Sequence, residues 1–194
     1  MIELIKKEIL AVHPHFNTSE LEQGLKLFKL KSFSAKDHIL KAGGIADYLI
    51  FADTSITRCY YINQEGKEHT LWMKPARTFL TEYKSFVDRS ASGFSLQFYE
   101  ITEVLCIQRS DLLELYKQSN DWAVFGILLT EKLHTTLIDV FVNLLANDAT
   151  RNYEYIAYMF PRFLQVAPLK DIASMLQVSQ VTLSRIRSGT QRKQ

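Results

Sequence analysis

The stretch PLKDIASMLQVSQVTLSRIRS, residues 168 to 188, decides the reading of this chain. Pro168 suits the opening of a helix, because its missing N–H costs nothing in a first turn. Ile172, Ala173 and Leu176 then fall on one face of a helix from Leu169 to Leu176. Gln177-Val178 reads as a tight turn, and Ser179 as the cap of a second helix from Gln180 to Arg187, its hydroxyl accepting an orphan first-turn amide. Two helices that cross steeply need a small residue at closest approach. Ala173 supplies it, and Val178, Leu183 and Ile186 fill the space between them. The pattern is a helix-turn-helix. It leaves Gln180, Val181, Ser184, Arg185 and Arg187 facing outward, where a recognition helix carries the side chains that reach base edges: Arg takes two acceptors on guanine, Gln pairs with adenine, and Val touches a thymine methyl. Ser179 and Thr182 complete that edge, and Lys170 and Arg187 suit phosphates.

Charge agrees with this placement. Residues 162–194 carry six basic residues against one acid, a net +5, which leaves −3 for the rest of a 194-residue chain of net charge +2. A basic module on a slightly acidic body is the layout expected when one end meets a polyanion, with Arg192 and Lys193 as a basic tail.

Upstream, Ile2, Ile5, Ile9 and Val12 predict a helix over Met1–Val12, and Leu21, Leu25 and Phe28 predict another over Thr18–Phe28 behind a Thr18 or Ser19 cap. Short β-rich runs follow at Phe33, 38–40, 48–51, 56–62, 69–73, 94–99 and 104–107, broken by turn signals at Ala42-Gly43-Gly44, Asn63-Gln64-Glu65-Gly66 and Ser92-Gly93. Strands at this spacing argue for an antiparallel barrel or roll. Ser110 is read as the cap of a short helix over 111–118. Asn120–Asn147 is the longest helical pattern, with Trp122, Phe125, Leu129, Leu133, Thr136, Val140 and Leu144 in one stripe. Leu128, Leu137, Ile138, Phe141 and Val142 widen the apolar surface, so one side can cover the roll while the other meets the same helix of a second subunit. A last helix over Thr150–Met159 is expected to stop at Phe160-Pro161. The expected units are 1–119 as sensor, 120–147 as dimerising helix and 148–194 as DNA-binding domain.

At Pro168–Leu176 and Thr182–Arg187 the chain resembles the cyclic-AMP receptor protein (Crp/Fnr) family of bacterial regulators, particularly its Bacteroidetes-type members. Ala149-Thr150-Arg151-Asn152-Tyr153, Phe160-Pro161 and Gly66-Lys67-Glu68-His69-Thr70 extend the resemblance. It implies an α+β fold: an amino-terminal antiparallel β-roll (a double-stranded β-helix of the cyclic-nucleotide-binding kind) with flanking helices, a long dimerisation helix and a carboxy-terminal helix-turn-helix. It also implies a homodimer on two half-sites of double-stranded DNA, with RNA polymerase as a candidate partner. Two positions depart from the family pattern. Gln177 stands where members commonly have Gly, so it must accept a left-handed or otherwise strained turn, and Val181 stands where an acid is common, which predicts a different half-site.

In nucleotide-binding relatives a Gly-Glu pair begins a short helix, its Glu accepting the ribose hydroxyl, and ten residues after the Glu an Arg followed by Ser or Thr holds the cyclic phosphate with helix-end amides. Here Glu82 follows Thr81, and Ser92-Gly93 occupies the Arg position; Arg89-Ser90-Ala91 reads like the cassette displaced by three residues. Glu82, Arg89, Ser90 and Ser92 are therefore the candidate effector residues, and the expected regulator does not respond to cyclic AMP through the usual clamp. Its effector is left unidentified, and no cofactor is expected. Two alternatives stay open: a small-ligand or cyclic-nucleotide binder using the displaced cassette, and a cupin-like metal enzyme. The second needs clustered histidines and a carboxylate, whereas His38 and His69 lie apart, and no phosphate loop or nucleophile elbow is present. No metal site and no enzymatic activity are expected. The only two cysteines, Cys59 and Cys106, sit singly in apolar runs and are too few for an iron–sulfur cluster. No run approaches the roughly 20 apolar residues of a membrane span, and Met1–Leu10 lacks a signal-peptide core, so a cytoplasmic location is expected.

Overall fold

The computed structural model describes residues 1–75 and 77–191, so the basic pair Arg192 and Lys193 lies outside the described residues. Two helices, α1 (Ile2–Val12) and α2 (Thr18–Leu25), precede six strands, β1 (Lys29–Phe33), β2 (His38–Leu40), β3 (Tyr48–Ala52), β4 (Thr57–Ile62), β5 (Glu68–Lys74) and β6 (Thr78–Leu80). After α3 (Tyr83–Asp88) come β7 (Ser95–Phe98) and β8 (Thr102–Gln108), then α4 (Arg109–Gln118), the long α5 (Asn120–Ala146), α6 (Ala149–Met159), α7 (Pro161–Val166), α8 (Leu169–Met175) and α9 (Gln180–Gln191).

The strands form two four-stranded antiparallel sheets, ordered β1-β8-β3-β6 and β2-β7-β4-β5. Their connectivity is that of the expected β-roll. Leu49, Ile50, Phe51 and Ala52 are buried in succession along β3, and successive residues point to opposite faces, so both faces of this strand are covered. The β4–β5 hairpin turns at Asn63–Gly66: Asn63 Oδ1 accepts the amides of Glu65 (3.0 Å) and Lys67 (2.9 Å), and Gly66 takes φ +77°.

Several local expectations are corrected. The cap of α2 is Asn17, whose side chain accepts from the Ser19 and Glu20 amides, and the helix ends at Leu25, short of Phe28. Ser110 lies within α4, which starts at Arg109. Pro161 does not only stop α6; it opens α7, where its fixed φ and absent N–H fit the first turn.

The larger correction concerns α5. Its first three stripe residues, Trp122, Phe125 and Leu129, are buried in the core of their own roll and are not available to a second subunit. Phe16 and Phe125 meet Trp122 edge-on at 5.1 and 5.6 Å, Phe79 meets Phe125 at 5.5 Å, and Leu133 packs on the same core. Thr136 Oγ1 donates to the Lys132 carbonyl, and Leu144 packs against a second core, that of the carboxy-terminal helices. Beyond Leu133 the helix instead exposes Leu137, Ile138, Phe141, Val142 and, at 81% exposure, Leu145. The stripe drawn from sequence ran straight, but a helix with apolar residues on two sides has to divide them between its own core and the outside.

Candidate nucleic-acid interface

The second core joins Tyr153 and Ile156 of α6, Phe163 of α7, Ile172, Ala173 and Met175 of α8 and Leu183 of α9. Leu183 and Ala173 are buried in this core, and Val178 and Ile186 pack on its edge. Asn152 anchors this unit to the long helix by donating from Nδ2 to the Leu144 carbonyl at 2.9 Å.

Between α8 and α9 the chain turns through Gln177 at φ +57°, the left-handed conformation expected for the residue in place of Gly. Val178 N–H donates to the Ala173 carbonyl (3.0 Å) and Gln177 N–H to that of Ser174 (3.1 Å), the paired bonds of a Schellman cap. Ser179 Oγ then accepts the Thr182 amide at 3.0 Å and stands 2.9 Å from the Thr182 hydroxyl, fixing the start of α9. Caps at both sides of a two-residue turn hold the crossing angle of the helices.

Leu183 faces inward, whereas Gln180, Val181, Thr182, Ser184, Arg185 and Arg187 are exposed, as are Ser179 and, on α8, Lys170. Val181 is 63% exposed. The start of this edge also borders a groove of about 1260 Å³, whose walls are the α8–α9 turn at Gln177 and Gln180, Lys67 and His69 on the β4–β5 hairpin, and Phe141 and Leu145 of α5.

One functional contender was missed by reading the sequence. Asp171, next to Lys170, is not a surface acid but a buried one: its Oδ2 accepts the Tyr99 hydroxyl (3.1 Å), and its Oδ1 lies 3.2 Å from Nη2 of the equally buried Arg58. Burial foremost, then the Asp171 charge, push the Tyr99 hydroxyl well above its ordinary pKa, so Tyr99 remains a donor. No local signal marks this pair, whose members stand 113 positions apart, 171 against 58.

In the roll, the candidate effector residues lie around α3, and the side chains of Glu82, Arg89 and Ser92 already have partners within the protein. Glu82 caps α3 by accepting the Lys84 and Ser85 amides at 3.1 and 3.0 Å. Arg89, left-handed at φ +58°, donates to the Ala46 carbonyl at 2.8 Å and forms an ion pair with Asp47. The Ser90 carbonyl accepts from Ser85, while the Ser92 hydroxyl donates to the Phe94 carbonyl. Beside them is a cavity of about 200 Å³, lined among others by Asp47, Glu82, Thr81 and Tyr48. The Thr81 hydroxyl is buried without a partner.

Among the described residues no three of His, Cys, Asp and Glu come together as metal ligands. His38 is hydrogen-bonded to the Tyr60 hydroxyl at 2.8 Å, and His69 stacks on Tyr61 at 5.2 Å. Among the described residues no helix is long and apolar enough to cross a membrane.

No family model and no curated protein matches the chain. Solved structures do. The c-di-GMP responsive global regulator CLP of Xanthomonas campestris aligns with a TM-score of 0.67 at 15% identity, over 91% of this chain and 93% of its own. FixK2 of Bradyrhizobium japonicum gives 0.67 at 16%, over 86% and 85%. The catabolite activator protein of Thermus thermophilus gives 0.54 at 20%, over 94% and 87%. Identities this low speak for architecture: the chain has the α+β fold of Crp/Fnr-type regulators, β-roll, long helix and helix-turn-helix, over nearly its whole length.

Proposed function

We propose that this protein is a DNA-binding transcription regulator, dimeric and cytoplasmic, and not an enzyme. The observation that carries the reading is the outward edge of α9: Gln180, Val181, Ser184 and Arg185 exposed on a helix whose start is fixed by a Schellman turn and the Ser179 cap. An edge so presented reads bases in a major groove, and Lys170 and Arg187 hold the flanking phosphates. Residues 1–119 serve as sensor, 120–147 as dimerising helix and 148–194 as DNA-binding domain. The dimer forms through the distal half of α5, where Leu137, Ile138, Phe141, Val142 and Leu145 are exposed. Two recognition helices on a two-fold axis then address half-sites roughly 34 Å apart.

The roll of this regulator does not take a cyclic phosphate through the usual clamp. An anion there would displace Asp47 from Arg89 and lie near the Glu82 carboxylate, both unfavourable. A small effector rich in hydrogen-bond donors fits the roughly 200 Å³ beside Thr81 better. Selection of random duplex DNA by the purified protein, at stated salt, tests the reading. A recovered motif with two-fold symmetry is expected, and the absence of salt-sensitive retention of any duplex overturns it.

A further inference from the structure

Glu82 is a buried carboxylate, 8% exposed, whose oxygens accept the Lys84 and Ser85 amides of α3 at 3.1 and 3.0 Å. An ionised carboxylate offers about four acceptor positions, so roughly half of these stay idle. Among the described residues no Lys or Arg forms an ion pair with Glu82. The cations nearest in sequence are committed elsewhere, Arg89 to Asp47 and Lys84 to Asp88 at 2.8 Å. The six-residue α3 offers only a short helix dipole, which offsets part of a full charge. The rest is felt inside the roll: after burial itself, the Glu82 charge is what pushes up the Cys59 thiol on β4. A buried charge without a counter-charge is costly, so a missing cation is worth looking for.

The space for one lies alongside. Glu82 borders the cavity of about 200 Å³, to which Ile39, Ile50 and Leu96 give an apolar wall and Thr81 a buried hydroxyl that has no partner. Both charged residues that line it, Asp47 and Glu82, are acids. Arg89 neutralises Asp47 and leaves Glu82 uncovered, so the lining keeps a net negative charge. A cavity of about 150 Å³ holds a benzene ring, and this one has room for a ring or short chain with one polar group. An ammonium group brings three donors and the missing charge, whereas a hydroxyl brings one donor and no charge.

We propose that this cavity binds a small organic primary ammonium ion, its nitrogen donating to the idle acceptor positions of Glu82 and to the Thr81 hydroxyl oxygen, its apolar body against Ile39, Ile50 and Leu96. The inference rests on the reading of the roll as the sensor of a regulator and gives its effector a chemical class.

Three probes of one shape and different charge test it by calorimetric titration of the full chain: benzylamine, benzyl alcohol and benzoate. Benzylamine is expected to bind at least about tenfold more tightly than benzyl alcohol, the worth of one charge-assisted hydrogen bond, and benzoate more weakly than either. Equal affinity for amine and alcohol, preference for benzoate, or no saturable binding of any probe overturns the proposal. Glu82→Gln keeps an acceptor for the α3 cap and removes the charge. It is expected to bring benzylamine down to the affinity of benzyl alcohol while leaving the alcohol unaffected. A folded Glu82→Gln protein that still prefers the amine places the cation elsewhere and also overturns the site; if the variant fails to fold, the three probes on the wild type decide. Retention of duplex DNA by the same preparation is measured alongside. Amine preference without any salt-sensitive DNA binding overturns the regulator reading and leaves the site standing, whereas DNA binding without amine preference does the reverse.

Discussion

Trp122 of α5 lies flat against Gly24 of α2: a Cβ built on Gly24 would come within 2.3 Å of the indole carbons, and the indole Nε1 donates to the Glu20 carbonyl at 3.0 Å. The long helix is thus keyed into its own roll before it emerges. Gly24→Ala is expected to destabilise the protein by about 1 to 3 kcal/mol, because neither backbone nor buried ring can yield without displacing neighbours. Urea unfolding followed by tryptophan fluorescence checks this, and an unchanged midpoint would show that Trp122 can move aside.

Gln177 gives an effect of opposite sign. At φ +57° a side chain is strained, and glycine is not. Gln177→Gly should raise stability by about 0.5 to 1 kcal/mol, the relief of strain exceeding the added freedom of the unfolded chain. Equilibrium denaturation at two wavelengths would register it, and a lower midpoint would contradict the strain.

Arg185 and Lys170 should separate base reading from phosphate holding. Arg185→Ala is expected to cost about 1 to 3 kcal/mol and relax preference at one position of the site. Lys170→Ala should weaken all sequences alike and lessen the salt dependence by about one phosphate contact. Competition binding against a panel of single-base variants distinguishes them; an unaltered ranking for Arg185→Ala removes it from the reading edge.

Phe141→Glu with Leu145→Glu places charge on the exposed distal face of α5 and should convert the dimer to monomer at micromolar concentration, with the roll intact. Sizing with light scattering measures this. A wild-type monomer would count against the dimer, and a double variant that remains dimeric would locate the interface elsewhere. Trp122→Ala, by contrast, should lose about 3 to 5 kcal/mol of fold stability, since it empties the core.

Burial pushes the thiol of Cys59 up to about 12 and that of Cys106 up to about 11. Both pKa values lie above the ordinary thiol value, so at pH 8 the folded protein holds both as unreactive thiols. The unfolded chain loses those protons at lower pH, and stability contributed by keeping them is lost as pH rises from about 8.5 toward those values. Labelling by a thiol reagent at pH 8 should therefore await unfolding, and prompt modification of native protein would point to an opening of the roll.

The helix-turn-helix was legible because its determinants are local. Pro168, the Gln177 turn and the Ser179 cap act within a few residues of themselves, and the inward positions Ala173, Leu183 and Ile186 follow from helical period alone. The roll was legible as class but not as pairing: β6 and α3, like α7 in the carboxy-terminal unit, are too short for periodicity to register, and the choice of Asn17 over Thr18 as cap depends on which residue the chain leaves in extended conformation. The candidate effector residues came from the resemblance to a phosphate cassette, while the ion pair of Arg89 with Asp47 was not legible in the sequence.

The amino-acid order by itself determined the capped turn between the two helices of residues 168–188, which end is basic, and which face of α9 is polar, because each depends on neighbours along the chain. Only the tertiary structure decided that the first half of α5 belongs to its own core, and that Asp171 is sealed against Arg58. Those facts depend on which distant surfaces exclude water together, and periodicity can name an apolar face but not the surface that covers it.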